Sequence, residues 1–412
     1  MTTTDFPAPP EPGLTAEEVV RRAEEIAPSL VERQAETEKR TYYAPDTHEL
    51  FSEAGFYRIL VPRRYGGYEF GIETFLGVSA APARGCPSTG WMFSLGAAHT
   101  LIVATLFGEQ AQAELFSSGE FICPATVAPS GTAVRTGGGW TLEGTWNYCS
   151  GSPYATHFLG HTLVPAGEGG PPAPMAFVIP RSEWTRLDDW GHYLGLKGSG
   201  SHSIRIERGY VPDHFTLPTH IADATVDSGT PGLALHRNPQ YAGGQLSFMF
   251  LEFAALAVGI TRGALDAYEE LLRTRTTFYP PIIGRGENAD YQTWHGSALG
   301  ALATAEAALE SAGRQWADLC TRRPGAFGRT EDLKLAAVCG EIIGLCWRAV
   351  EQHLFRTAGS GAIREGQRIE RAWRDLSMMH SHAGTAIFLP TEGARALSQA
   401  HLGIETAGFS TR

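Results

Sequence analysis

Two histidines near the C-terminus are the first residues whose type and spacing could do chemistry. They are His380 and His382, in the stretch RDLSMMHSHAGT at residues 374–385. Imidazole titrates near neutral pH, so either ring could donate or accept a proton under working conditions. On a continuous helix, side chains two residues apart point about 200° away from each other. One site can therefore use only one of the two rings, and a shared metal ion is not expected.

Several other kinds of site have no support in the sequence. The patterns GxxxxGK[ST], HExxH and GxSxG do not occur, which argues against a nucleotide hydrolase, a zinc protease and a serine hydrolase. A Rossmann fingerprint for NAD(P)H is also missing. The net charge is −11, and no run of Lys or Arg could follow a phosphate backbone, so nucleic acid is not an expected partner.

The composition predicts a globular protein of the cytoplasm. A chain of 412 residues with 43% hydrophobic content can bury a large core in two or three domains. No signal peptide precedes the first helix, and no apolar run reaches the roughly 18 residues of a membrane span. The six cysteines form no CxxC pair, so we expect reduced core residues.

The elements that must position any site change along the chain from helices to strands and back. Thr15 and Glu18 have capping-box spacing at the start of an amphipathic helix, and an apolar, small-residue-rich stretch follows near residue 90. Short β-rich runs then follow, with a surface hairpin loop at residues 165–174. Beyond about residue 240, long stretches without proline predict four helices, the last two at about 329–357 and 366–389.

We therefore predict an α+β protein, mainly α, in three domains. A disordered tail (1–13) precedes a helical N-terminal domain (14–118), a small antiparallel β domain (119–225) and a C-terminal four-helix bundle (226–412).

This order of domains, together with four motifs, resembles the acyl-CoA dehydrogenase superfamily. The motifs are SEAGFYRILVPRRYGGYEFG with ARGCPSTGWMFSLGAAH, GGWTLEGTWNYCSGSPYATHF, GLKGSGSHSIRIERGYVP and RTTFYPPI. The first two are similar to a branch of flavin-dependent monooxygenases, the oxygenase components of p-hydroxyphenylacetate and phenolic-steroid hydroxylases. In RTTFYPPI, Tyr279 replaces the usual glycine of the dehydrogenases.

The resemblance also decides between the two histidines. Many dehydrogenases of this superfamily place a catalytic glutamate where this chain has Ala383, and alanine cannot remove a proton. The monooxygenase branch carries a histidine at the position of His382. His382 is therefore expected to polarise or deprotonate a substrate hydroxyl or to steady a flavin hydroperoxide, whereas His380 is expected to pack or to face solvent. Glu252 is the candidate for a relocated dehydrogenase base.

Further site residues follow from the same resemblance. Ser150 is expected near flavin N5 as a second catalytic group. His99, Trp91 and Trp146 are expected to bind the substrate, although core packing is an alternative for each. The predicted flavin-binding residues are Trp146, Tyr148, Cys149, Ser150, Thr126, Arg275, Gly359 and Ser360. Arg275 would reach a phosphate across a subunit boundary, or it could be a solvated helix-end arginine. Gly359 and Ser360 could approach a dinucleotide or form only a turn.

The resemblance thus predicts the oxygenase component of a two-component monooxygenase. It would use reduced flavin, FADH2 or FMNH2, and O2 to hydroxylate an aromatic small molecule, phenolic or polyketide-like. A separate NAD(P)H:flavin reductase would supply the flavin, and the chain would form a homotetramer through its bundles. The alternatives are an N-hydroxylase of an amine or amino sugar, a dehydrogenase with a displaced base, and a helical scaffold that has lost its flavin.

Overall fold

The computed structural model describes residues 7–165, 171–322 and 325–404. The first six residues of the predicted tail and residues 166–170 of the predicted hairpin loop lie outside these ranges. Residues 7–13 form no helix or strand, and Glu11 pairs with Arg22 of the first helix at 2.9 Å. The disorder of the tail stays a prediction.

The N-terminal part is helical, as predicted. Thr15 caps the first helix by accepting a hydrogen bond from the Glu18 backbone N–H at 3.1 Å, and Val19, Ala23 and Leu30 are buried along one face. The six helices are α1 (Ala16–Arg40), α2 (Pro45–Glu53), α3 (Ile72–Gly85), α4 (Pro87–Ala97), α5 (His99–Leu106) and α6 (Glu109–Leu115).

The middle part contains two antiparallel sheets. One has the order β1-β2-β6-β5 and the other β3-β4-β7. The strands are β1 (Thr132–Thr136), β2 (Gly139–Trp146), β3 (His157–Val164), β4 (Ala173–Pro180), β5 (Thr185–Arg186), β6 (Ile204–Pro212) and β7 (Thr216–Leu217). The loop after β2 and the loop before β6 lie side by side, since the Gly151 N–H donates to the Ser199 carbonyl at 3.3 Å.

The C-terminal part is helical again. Its helices are α7 (Pro231–His236), α8 (Gln245–Thr274), α9 (Ala289–Thr321), α10 (Arg329–Arg348), α11 (Arg368–His380) and α12 (Ala394–His401). Two π-helical segments, Ala349–Phe355 and Gly384–Gly393, follow α10 and α11. The prediction of one unbroken helix over 366–389 is wrong, because α11 ends at His380. The mainly α, α+β class is confirmed, and the domain boundaries fall between elements and stay predictions.

Helix α8 forms the centre of the molecule. Gly259 and Gly263 let it approach α3 closely, because a side chain at either position would overlap the backbone of Ala80 or Arg84. The stretches Pro87–Leu106 and Gln245–Thr274 are apolar and long enough to cross a membrane, but an apolar window of 18 residues in each is 94% and 89% buried inside the protein. Such burial is typical of core helices.

One buried carboxylate joins all three parts of the chain. Asp375 on α11 accepts the Leu196 backbone N–H at 2.6 Å and the Ser88 hydroxyl at 3.2 Å. Its neighbour Arg374 is buried as well and pairs with Glu370 and Glu38. Because α11 also leads directly to His382, this network fixes the end of the bundle relative to the loop before β6.

Candidate active site

His382 lies in the break between α11 and the following π-helical segment. Its backbone N–H donates to the Met379 carbonyl, and the Gly384 backbone N–H donates to His382 Nδ1, each at 3.1 Å. Nδ1 needs a free lone pair to accept this bond, so the neutral ring carries its proton on Nε2. The imidazole can therefore donate a hydrogen bond to an oxygen of a ligand.

Aromatic rings lie beside this imidazole and together with it define what we call the His382 cleft. The ring centroids of Trp91 and Phe253 lie 6.0 Å and 5.2 Å from that of His382. Phe250 packs edge-on against Phe253 and stacks on Phe388. His382 is exposed at the protein surface. Desolvation by the neighbouring side chains lowers the pKa of His382 to about 4, so the ring is neutral at physiological pH and can be reached by a ligand.

Sequence reasoning identified Trp91 in this cleft and missed Phe250, Phe253 and Phe388. The signal was the spacing of Phe250 and Phe253, three residues apart in FMFLEF, which places both rings on one helix face. The pattern was interpreted only as the buried side of a bundle helix.

His380 points elsewhere, as expected. Its ring stacks on Trp347 at 5.1 Å with an interplanar angle of 18°. The reason given for the separation was wrong, however, because the two histidines do not share one helix. The helix ends at His380, and His382 follows in the break after it.

Trp91 connects the two predicted catalytic residues. Its ring lies beside His382, and its Nε1–H donates to Ser150 Oγ at 3.0 Å. Ser150 Oγ in turn lies 2.8 Å from Ser201 Oγ. The loop that carries Ser150 is sharply turned, since Tyr148 and Gly151 both have left-handed backbone conformations. A strained non-glycine residue such as Tyr148 is common at functional sites.

Tyr148 lies beside a second opening, which we call the polar cavity. It has a volume of about 210 Å³ and is lined by Asn147, Tyr148, Asp189, Trp190, Tyr193, Ser201 and Ser203. Tyr148 is 56% exposed and packs edge-on against Trp190 and Tyr193, whose rings stack at 4.2 Å. Ser201 belongs both to this cavity and to the hydrogen-bonded group around Ser150.

Two predicted ligand-binding residues are core residues instead. Trp146 has no exposed surface, packs against Phe158 and Phe177, and donates from Nε1 to the His161 carbonyl at 2.9 Å. Cys149 is equally buried, and burial raises the pKa of its thiol far above the usual range. A side chain without accessible surface in the unliganded protein cannot form the wall of a pocket, so the expectation for both residues is corrected.

His99 and Thr126 are also buried, but each keeps a small exposed fraction. His99 is 4% exposed, its Nδ1 lies 2.8 Å from the Leu95 carbonyl, and burial lowers its pKa to about 4. Its predicted contact with substrate stays a prediction. Thr126 is 8% exposed, and within the described residues its buried hydroxyl has no hydrogen-bond partner. Such an orphan group costs free energy unless a ligand or water satisfies it, so it fits a bound polar ring such as a flavin.

Glu252 does not take the place of the missing dehydrogenase base. Its side chain is 1% exposed and lies near Ser94 of α4, and within the described residues its buried Oε1 has no hydrogen-bond partner. Burial raises its pKa to about 8. A neutral acid enclosed between helices cannot reach a substrate in the His382 cleft.

Arg275, Gly359 and Ser360 lie together at the other end of α8. Arg285, which the sequence analysis did not single out, joins them: its backbone N–H donates to the Arg275 carbonyl at 2.9 Å, and its Nη1 donates to the Ala358 carbonyl at 2.7 Å. Arg275 is exposed. The next residues expose large apolar side chains, namely Phe278, Tyr279 and Ile282, at 83%, 75% and 60%. We call this region the Arg275 corner.

The Arg275 corner is far from the His382 cleft of the same chain. Arg275 follows Phe253 by 22 residues along α8, which is about 33 Å at 1.5 Å per residue. This separation is much longer than that between the ring of a flavin and its own phosphate groups. One chain alone therefore cannot use both regions for one flavin.

Comparison with known proteins gives consistent relationships over nearly the whole chain. Residues 15–117 match the acyl-CoA dehydrogenase N-terminal domain, and residues 251–386 match the acyl-CoA dehydrogenase C-terminal domain. A pigment production hydroxylase of Rhodococcus sp. (strain ATCC 21145) is 30% identical over 374 residues, covering 90% of this chain and 93% of the relative. The FADH(2)-dependent resorcinol hydroxylase oxygenase component of Rhizobium sp. (strain MTP-10005) is 29% identical, covering 80% of this chain and 81% of the relative.

The solved structures agree. The crystal structure of 3-HSA hydroxylase from Rhodococcus sp. RHA1 superimposes with a TM-score of 0.83 at 25% identity, covering 95% of this chain and 98% of the other.

Proposed function

Because this chain belongs to the acyl-CoA dehydrogenase superfamily, within its branch of flavin-dependent oxygenases, we propose that it is the oxygenase component of a two-component monooxygenase. The proposed reaction hydroxylates an aromatic small molecule, phenolic or polyketide-like, with reduced flavin and O2. Relatives that bear such names include the resorcinol hydroxylase oxygenase component and p-hydroxyphenylacetate 3-hydroxylase.

The observation that carries the proposal is the pairing of His382 with Ala383. Many dehydrogenases carry a catalytic carboxylate at this place, and the chain offers instead a neutral histidine beside the rings of Trp91 and Phe253. An aromatic substrate can pack against these rings, since aromatic pairs contribute about 0.5–1.5 kcal/mol beyond area burial. An acyl thioester would find no base in the cleft.

His382 is proposed to act as a hydrogen-bond donor to a substrate oxygen. Gly384 holds Nδ1 as the acceptor, so Nε2–H is the group left for the ligand. A phenolate oxygen gains most from such a donor, because hydrogen bonds to charged groups contribute about 1.5–3 kcal/mol. Ionised phenols are also the more electron-rich substrates. The stabilised phenolate is therefore the substrate form that His382 would favour, and deprotonation through Nε2 is not required.

The residues that would hold the flavin are Thr126, Ser150 and Tyr148. The buried and unpartnered Thr126 hydroxyl can bond a polar edge of the ring, while the Ser150 hydroxyl can donate near N5. Tyr148 is exposed enough to contact it. When bound, reduced flavin supplies the electrons that activate O2. It would come from a separate NAD(P)H:flavin reductase, which fits a chain without a Rossmann fingerprint.

The Arg275 corner supports a homo-oligomer, which we propose to be a tetramer in the cytoplasm. The exposed apolar side chains of Phe278, Tyr279 and Ile282 form a surface of the kind found at interfaces. Arg275 and Gly359 would then contact the phosphate end of a flavin held by a second copy. Such contact with a longer dinucleotide favours FAD over FMN.

The experiment that tests the function is product analysis with defined substrate classes. The purified protein is first titrated anaerobically with reduced FAD and reduced FMN, and is then mixed with O2 and a phenol, an amine or an acyl-CoA. We expect binding of reduced flavin and hydroxylation of the phenol. Oxidation of amines alone would support the N-hydroxylase alternative, and reduction of oxidised flavin by acyl-CoA would support a dehydrogenase. Failure to bind either reduced flavin would support a scaffold that has lost its cofactor.

A further inference from the structure

A line of serine hydroxyls leads from Ser150 to the polar cavity. The distance between Ser150 Oγ and Ser201 Oγ is 2.8 Å, and that between Ser201 Oγ and Ser199 Oγ is 2.6 Å. The three residues are buried, with exposed fractions of 8%, 4% and 0% for Ser150, Ser201 and Ser199. Buried hydroxyls at these separations are hydrogen-bonded to each other.

Trp91 restricts the direction of the hydrogen bonds along this line. An indole N–H can only donate, and Trp91 donates to Ser150 Oγ. This bond occupies a lone pair of Ser150, so the proton of Ser150 must point either to Ser201 or into the space where a ligand would lie. Ser201 has the same freedom, since Ser150 and Ser199 lie on either side of it and each can serve as donor or acceptor.

The outer end of the line reaches solvent. Ser201 lines the polar cavity together with Asp189, whose side chain is 46% exposed. The Asp189 carboxylate accepts the Ser203 backbone N–H at 2.9 Å and is thereby held at the cavity wall. Water in this cavity has an acidic group beside it, and Ser201 is the hydroxyl that connects it to Ser150.

The backbone holds the hydroxyls in place. The Gly200 N–H donates to the Thr41 carbonyl at 2.7 Å, and the Ser152 hydroxyl donates to the Gly200 carbonyl at 3.0 Å. Gly200 has a left-handed conformation, and a side chain there would overlap Pro153. On the other side of Ser201, the Cys149 N–H donates to the His202 carbonyl at 3.2 Å. These backbone bonds fix the loop on both sides of Ser201 without the Ser152 hydroxyl, which keeps the Ser150–Ser201 distance short.

We propose that Ser201 passes protons between the polar cavity and Ser150, and so supplies the proton that the oxygenase reaction consumes. This inference rests on the proposed function. Anionic reduced flavin, O2, the substrate C–H group and one proton give oxidised flavin, the hydroxylated product and water. For each proton delivered, Ser201 gains a proton from cavity water and gives its own to Ser150. Ser150 then gives its original proton to the reaction site.

The test compares Ser201→Ala with Ser152→Ala as the matched control. Ser152 is buried in the loop that carries Ser150 and donates to the Gly200 carbonyl, but it lies off the line. We first measure the Kd for reduced flavin, which we expect to stay within about twofold of wild type in both variants. Flavin absorbance is then followed after mixing with O2 in H2O and in D2O over a range of pH.

One phase of the absorbance change should depend on proton transfer. In wild type and in Ser152→Ala, the rate of this phase should fall in D2O, and its dependence on pH should be the same in both proteins. In Ser201→Ala this phase should slow by about 10-fold or more, since positioned proton transfer typically contributes 10²–10⁴-fold. Its pH profile should shift as well, and Ser201→Thr should restore the rate. A second readout needs no flavin: the indole N–H resonance of Trp91 should shift in Ser201→Ala, because Ser150 loses its hydroxyl partner.

Wild-type rates and isotope effects in Ser201→Ala would overturn the proposal, as would equal losses in Ser201→Ala and Ser152→Ala. Either outcome would leave the proposed function intact, provided that the wild-type protein binds reduced flavin and hydroxylates its substrate. Loss of those two wild-type properties would instead contradict the proposed function itself.

Discussion

The His382 cleft and the Arg275 corner differ in how far their side chains are in contact within one chain. In the cleft, side chains from α4, α8 and the break after α11 already contact each other, and burial has already set the pKa of His382. At the corner, Arg275 and three large apolar side chains are exposed. The cleft is completed by the folding of one chain, whereas the corner leaves exposed the groups that we propose a second copy uses. The comparison teaches that, in the proposed homo-oligomer, chemistry and cofactor retention depend on different subunits.

The largest expected effect is the loss of hydroxylation in His382→Ala. Removing one preorganised hydrogen-bond donor typically lowers kcat by 10²–10³-fold, and we expect a loss of about 100-fold or more. The control is His380→Ala, which removes the ring that stacks on Trp347 outside the cleft. Product formation under saturating reduced flavin measures both. Equal activities in His382→Ala and wild type would remove His382 from the mechanism.

The next largest effect is expected on flavin binding at the Arg275 corner. Arg275→Ala should weaken binding of reduced flavin by about 10-fold or more, because hydrogen bonds to charged groups contribute about 1.5–3 kcal/mol. Arg273→Ala is the control, since Arg273 pairs with Glu269 on its own helix at 2.6 Å. Anaerobic flavin titration gives the Kd of each variant.

Mixed oligomers test whether Arg275 acts on a second copy. Arg275→Ala subunits keep an intact cleft, and His382→Ala subunits keep an intact corner. Co-refolded mixtures should regain part of the activity that neither variant has under limiting flavin. Mixtures no more active than the average of the two variants would show that Arg275 acts, if at all, within its own chain.

A smaller effect is expected on stability from Glu252→Gln. The carboxyl stays protonated up to about pH 8 in the folded chain, whereas its ordinary pKa is 4.5. Between these values the unfolded chain releases a proton that the folded chain keeps, so the free energy of unfolding falls as the pH rises. The amide removes this dependence. The Tm of Glu252→Gln relative to wild type should therefore be higher by several degrees at pH 8 than at pH 5. The same Tm difference at both pH values would mean that Glu252 ionises normally.

The last prediction concerns the pH dependence of the rate ratio between wild type and His382→Ala, for which we expect no change. Because burial lowers the pKa of His382 to about 4, the ring keeps its charge state between pH 8 and pH 5.5. The ratio of the wild-type rate to the His382→Ala rate should stay constant over this window, since both proteins use the same substrate. A ratio that changes several-fold with a midpoint near 6.5 would indicate an ordinary, solvated histidine.

The sequence predicted the mainly α fold and two residues of the cleft, His382 and Trp91, but not the phenylalanine rings that complete the cleft. Periodicity identified the long helices, and the resemblance, which placed Ala383 at the position of a dehydrogenase glutamate, argued against a carboxylate base there. The end of α11 at His380 was missed because nothing in MMHSHAGT forbids a helix. At the break, the Thr385 hydroxyl bonds the carbonyls of Met379 and His380, and His382 Nδ1 accepts the Gly384 N–H, local bonds that compete with a continuous helix. Trp146 was misassigned because the local sequence around an aromatic residue at a strand end is the same whether the side chain faces a ligand or a second sheet. The pairing of Ser150 with Ser201 joins residues 51 positions apart, which no local pattern reveals.

The most direct test of the central claim is the fate of labelled oxygen. The protein, reduced flavin and a phenolic substrate are mixed with ¹⁸O2 in unlabelled water, and the product is examined by mass spectrometry. An oxygenase of the proposed kind transfers one ¹⁸O atom to the ring of the product and the other to water. A product without label, or one labelled only in the converse experiment with H2¹⁸O, would contradict the account.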